Sequence, residues 1–201
     1  MAAKPQPRAR PFDIDNTLEQ IFEFNDACYE KGWTDGLPVF PPTERALERM
    51  LACIDETFQT RLDPGQIQVN AAERRVLTRL HPLCLNAYED AQGPLIWALM
   101  FPTTTLLADR FIENKIQERE LLLINTSKKK YTTLYLCSIT ALPEIRHRNK
   151  SFELCEKSVS ALLQDYKIDS LLVWPLSESG LKLAQRLSQT FGLPLKIKNG
   201  H

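Results

Sequence analysis

A mixed α/β fold, α+β in the way its strands are grouped, is predicted by three features of this sequence. Residues 131–198 alternate apolar, strand-like runs with amphipathic helical segments in the order strand, turn, helix, strand, helix, strand. Residues 83–101 hold two apolar runs separated by a polar, glycine-containing turn, which is the pattern of an antiparallel hairpin. Two stretches nearer the N-terminus carry helical periodicity. Together these predict a central mixed sheet flanked by helices, with two N-terminal helices, in a single domain over 13–201 that follows a flexible tail, 1–12.

Taken in order, the tail contains Lys4, Pro5, Pro7, Arg8, Arg10 and Pro11 without an apolar period. Asp15 or Asn16 then caps a helix over 13–31, with Leu18, Ile21, Phe22, Cys28 and Tyr29 on or near one face and Gly32 ending it. Residues 32–43 read GWTDGLPVFPPT. Two glycines and three prolines fix that backbone, so a rigid loop is expected, packing Trp33 on the core or forming a pocket wall with Asp35 at its polar tip. Thr43 caps a second helix, 43–60, whose buried stripe is Leu47, Met50, Leu51, Ile54 and Phe58.

Asp63, Pro64 and Gly65 form a turn. The alternation over 66–70 suggests an edge strand, and 74–80 reads equally as helix or strand. The hairpin takes 83–88 and 95–101 as its strands, and Pro102 is expected to stop the second one. Leu106, Leu107, Phe111, Ile112 and Ile116 then follow helical spacing, so 103–120 reads as one helix with a charged opposite face that carries Glu118 and Glu120. Residues 121–125 either finish that helix or form a short strand, and 127–130 is a solvated turn.

The strand 131–140 (YTTLYLCSIT) is rich in β-branched and aromatic residues, and Pro143 ends it. A basic turn with Arg146, His147, Arg148, Asn149 and Lys150 leads to Ser151, the expected N-cap of a helix over 152–167. The apolar run 170–174 is a buried strand closed by Pro175. A helix follows from Ser177, with Gly192 at its left-handed C-terminal position and a last strand at 193–198. The helix start behind Arg146, Arg148 and Lys150 outlines an anion site, because its first N–H groups are free of helix partners and its dipole is positive there.

This order of elements over residues 131–198 resembles the C-terminal half of the GNAT superfamily of acyl-CoA-dependent N-acetyltransferases. In that family the strand-to-helix turn carries Arg/Gln-x-x-Gly-x-Gly/Ala, whose backbone holds the coenzyme A pyrophosphate. The matching positions here are Arg146, Asn149 and Ser151. The resemblance implies acetyl-CoA as co-substrate, bound by Arg146, Arg148, Asn149, Lys150 and Ser151, and acyl transfer to a small-molecule or peptide amine. Glu144 is the candidate base, with Glu118 and Glu120 as others. Cys137 lies where the acyl carbonyl would bind. Both motif glycines are replaced. Ala184 stands seven residues after Ser177, where many members place a tyrosine acid. These departures suit the alternative of a non-catalytic binding or structural module on the same fold. Separately, residues 32–43 are similar to a short stretch of bacterial proteins related to thioredoxin-reductase selenoproteins.

Composition bounds the partners. Lys plus Arg and Asp plus Glu are each 25, so the net charge is zero, and no basic excess exists for nucleic acid. No run has the length of a membrane span, and the N-terminus lacks the apolar core of a signal peptide, which predicts a cytoplasmic protein with no membrane partner. Cys28, Cys53, Cys84, Cys137 and Cys155 are odd in number and widely spaced, so reduced thiols and no metal site are expected.

Overall fold

The computed structural model of the chain describes residues 65–90, 93–124, 130–145 and 149–199. The expected tail, the helices at 13–31 and 43–60, and the loop 32–43 lie outside the described residues. Among the described residues five strands form one open sheet in chain order: β1 (Leu85–Asp90), β2 (Gly93–Thr103), β3 (Thr133–Ala141), β4 (Ser170–Val173) and β5 (Leu195–Ile197). Neighbours are antiparallel from β1 to β3 and parallel from β3 to β5, so the sheet is mixed and the strand expected at 131–140 is its centre.

Among the described residues five helices accompany the sheet: α1 (Ala71–Leu80), α2 (Thr105–Ile112), α3 (Glu118–Ile124), α4 (Lys150–Asp165) and α5 (Glu178–Phe191). α4 packs on β1 and β2, α5 on β4 and β5, and the two helices touch. α1 and α3 pack on β2, and α2 packs on β3. β2 is accordingly buried along nearly its whole length. At its far end Phe101 sets its ring edge-on to that of Tyr135, centroids 5.4 Å apart. Ser177 caps α5 by accepting from the Gly180 N–H, and Gly192 ends it at φ 63°, as its sequence position implies. No helix among the described residues is long and apolar enough to cross a membrane.

Several expectations are corrected by tertiary contacts. Residues 66–70 form no strand. Val69 is left-handed at φ 52°, and the N–H groups of Ile67, Gln68 and Asn70 donate to side-chain carboxylates. Asn70 and Glu73 make a reciprocal capping box that starts α1, so 74–80 is helical. The first hairpin strand begins at Leu85 because Pro82–Cys84 is a tight 3-10 turn, in which His81 Nδ1 accepts from the Leu83 N–H. Pro102 does not stop β2. β1 pairs no further along β2 than Leu99, so Pro102 lies where only β3 flanks the strand, a position that tolerates a residue lacking an N–H.

The single helix expected over 103–120 is two. Thr104 caps α2, and the chain then turns through Asn114 at φ 59°, which no α-helix accommodates. The Glu120 carboxylate accepts from the Gln117 N–H and restarts the helix, and α3 continues to Ile124, so 121–124 completes a helix rather than a strand. The break re-aims Glu118, which is only 8% exposed instead of lying on a charged face. α4 likewise begins one residue before Ser151, and its N-cap is Asn149.

Candidate functional site

β3 and β4 pair over four residues, from Thr133 opposite Ser170 to Leu136 opposite Val173. β4 then ends at Val173, before Trp174 and Pro175, whereas β3 runs on to Ala141 with β2 as its strand neighbour. A β-bulge falls at the point of separation. Leu99 faces Ser138 and Met100 faces Leu136, so Cys137 is the extra residue. Backbone N–H and C=O groups alternate sides along a strand, so part of β3 beyond the bulge turns its polar backbone toward the space that β4 has left.

That space is a cavity of about 90 Å³, closed below by Cys155 of α4 and by Leu183, Ala184 and Leu187 of α5. Its walls include the bulge residue Cys137 and the strand-end residue Trp174, with Ser177 at the start of α5. Ala184, at the position where the family resemblance implies a tyrosine, lines it with a methyl group.

Of the expected anion-binding residues, Asn149, Lys150 and Ser151 sit at the start of α4. Asn149 is left-handed at φ 58° and ψ 1°, and its carbonyl accepts from the Phe152 and Glu153 N–H groups. Its side chain makes no capping bond. Instead Asn149 Oδ1 accepts from Arg186 Nη1 at 2.6 Å, and the Arg186 guanidinium lies 3.6 Å over the Phe152 ring, which ties the turn to α5. Lys150 Nζ is held by Glu153 at 2.6 Å, and that bond raises its pKa. Ser151 is partly buried in the first turn. Cys155 follows Lys150 by five residues, so the helix start lies about 7.5 Å along the axis from the cavity floor. Arg146 and Arg148 lie outside the described residues. Glu144 is exposed on the 3-10 turn Pro143–Ile145 and does not line the cavity.

Behind the cavity wall lies a buried polar group that helical periodicity did not reveal. Glu118 Oε1 accepts from Tyr135 OH at 2.5 Å and from Cys137 Sγ at 3.5 Å, and Glu118 Oε2 accepts from the Ile67 N–H at 3.1 Å. Burial first, and the adjacent carboxylate second, push both the Tyr135 phenol and the Cys137 thiol well above their ordinary ranges. Both remain neutral donors at physiological pH. Cys137 is therefore a protonated thiol on the cavity wall rather than an activated nucleophile.

A second unanticipated group is Lys198, only 3% exposed, whose ammonium donates to Asn114 Oδ1 and lies 4.9 Å from the Phe111 ring centroid and 5.3 Å from that of Trp174. Desolvation lowers its pKa.

The thiols give a direct check on this environment. Burial pushes Cys84 and Cys155 up to about 12 from an ordinary value of 9.0. Native protein at pH 8 should therefore leave Cys84, Cys137 and Cys155 unalkylated by iodoacetamide over minutes, as mapped by peptide mass spectrometry. In denaturant without reductant all five cysteines should titrate. Rapid native labelling of Cys155 would contradict the buried α4 face, and fewer than four free thiols would contradict the reduced compartment expected from sequence.

In comparisons with family models, curated proteins and solved structures, nothing matches this chain.

Proposed function

We propose that the chain is an acyl-CoA-dependent N-acyltransferase of the GNAT type, with the thioester end of the donor entering between β3 and β4. The observation that carries this reading is the separation of the two parallel strands at the Cys137 bulge, over an apolar cavity. Strand backbone beyond the bulge would meet the thioester carbonyl. The coenzyme A phosphates would meet the start of α4, where the left-handed Asn149 supplies the sharp turn that a glycine gives elsewhere. Arg146 and Arg148 would add charge-assisted hydrogen bonds, with Lys150 and Ser151 beside them. The acceptor is an amine on a small molecule or peptide. Glu144 remains the candidate base at the end of β3, and Glu118 is a carboxylate one thiol removed from the cavity.

One observation favours a second reading, a binding module that has kept the fold without the chemistry. Ala184 offers no proton to a departing thiolate, and no charged side chain lines the cavity among the described residues.

Calorimetric titration with coenzyme A tests the site. Saturable binding at sub-millimolar concentration is expected. Replacing both Arg146 and Arg148 by Ala should weaken it at least tenfold, about 1.4 kcal/mol, with little change in thermal midpoint. Asn149→Gly should bind as well or better, because glycine adopts the left-handed turn without a side-chain penalty and the Arg186 contact it loses is on the surface. No binding at millimolar coenzyme A would refute the acyltransferase reading and select the non-catalytic module. Binding without transfer to any amine tested would select the non-catalytic module.

A further inference from the structure

The cavity divides into a floor and a rim. Leu99, Met100, Cys155, Val173, Ala184 and Leu187 form the floor, and each is at most 6% exposed. The polar side chains at the wall, Cys137, Ser138 and Ser177, are all more exposed than these. The depth of the site is thus hydrocarbon, thioether and thiol, with no charged side chain among the described residues to meet a buried ionic group. Such a floor rewards a ligand that buries apolar carbon and penalises one that brings a carboxylate into it.

Size sets the scale. An apolar cavity of about 150 Å³ accepts one benzene, six carbons. By that measure the cavity here, about 90 Å³, takes about three to four. With the thioester carbonyl and sulfur held at the more exposed rim beside Cys137, Ser138 and Ser177, a bare acetyl methyl would leave much of the apolar floor unfilled, and empty apolar space forfeits the dispersion contacts of its lining.

We infer that the donor's acyl group is a short, uncharged aliphatic chain longer than acetyl, of the butyryl or isobutyryl class, whose hydrocarbon end rests on Ala184 and Leu187. This deepens, and rests on, the acyl-donor reading above. Ala184 sets the limit: a larger side chain there takes up the volume that the chain end would use.

The test compares coenzyme A, acetyl-CoA, butyryl-CoA, octanoyl-CoA and succinyl-CoA by calorimetry on the full chain. Butyryl-CoA should bind about tenfold more tightly than acetyl-CoA, from two further methylenes withdrawn from water. Octanoyl-CoA should gain nothing over butyryl-CoA, and succinyl-CoA should bind no better than coenzyme A itself. Ala184→Leu should cut the butyryl preference to less than threefold, with a cooperative thermal unfolding transition reporting that the variant is folded. Ala184→Gly should move the optimum toward longer chains. Equal affinities for acetyl- and butyryl-CoA, or a preference for succinyl-CoA, would overturn the chain-length inference while leaving the acyl-donor site standing. Failure of all five ligands to bind would overturn both together.

Discussion

Glu118→Leu is expected to destabilise the protein by about 2–6 kcal/mol, because it strands two buried donors, the Ile67 N–H and the Tyr135 hydroxyl, each costing about 1–3 kcal/mol when left without an acceptor. For a chain of this size that corresponds to a fall in thermal midpoint of roughly 5–20 °C. Glu118→Gln keeps one carbonyl oxygen and should cost less, although its amide turns a donor toward either the Ile67 N–H or the phenol. Tyr135→Phe removes a donor and leaves the carboxylate its bond from Ile67, so its cost should be about 1 kcal/mol. In the double variant Glu118→Leu with Tyr135→Phe the phenol is no longer stranded. The combined loss should therefore be smaller than the sum of the two by about 1 kcal/mol or more. Urea titrations of the four proteins measure this. Glu118→Leu within 0.5 kcal/mol of wild type, about the scatter of ordinary surface substitutions, would mean the carboxylate does not serve those donors.

How much of this could be read from the sequence follows from how local each determinant is. β3, β4 and α5 were legible because their apolar runs, the closing Pro175 and the capping pair Ser177 and Gly192 lie within the segments they define. The capping box was not read from the sequence, because the alternation of Ile67 and Val69 suggests a strand over the residues that lead into Asn70 and Glu73. Only the carboxylates of Glu73 and Glu118, which draw off the N–H groups of Ile67, Gln68 and Asn70, decide between the two. The break between α2 and α3 was not legible. Phe111, Ile112 and Ile116 keep helical spacing across it, and the left-handed Asn114 is fixed in part by its bond from Lys198, 84 residues away.

The same contrast holds at the candidate site. The left-handed Asn149 and the helix behind it are local, and asparagine is the residue after glycine that tolerates that conformation. The bulge at Cys137 depends on the register of β3 against β2, and the cavity depends on where β4 ends relative to that bulge. Neither can be deduced from periodicity, because a strand with a bulge and one without it show the same alternation over a few residues.

The second large effect is expected at Phe111. Its ring is 1% exposed and meets Tyr135 edge-on at a centroid distance of 5.5 Å and Trp174 at 5.6 Å, with Lys198 over it at 4.9 Å. One side chain of α2 thus contacts residues of β3, the end of β4 and the end of the chain beyond β5. Phe111→Ala should cost about 3–5 kcal/mol, from lost transfer energy and the cavity left behind, and should lower the thermal midpoint by roughly 6–20 °C. Leu106, on the same helix but 71% exposed, is the matched control, and Leu106→Ala should stay within about 0.5 kcal/mol of wild type. A local consequence is expected as well. Trp174 packs against Phe111 on one side and lines the cavity, so truncation should loosen the wall and weaken coenzyme A binding in protein that is still folded at 15 °C. Phe111→Leu restores most of the volume and should recover more than half of the stability. Equal costs for Phe111→Ala and Leu106→Ala would show that α2 does not pack its Phe111 face on the sheet.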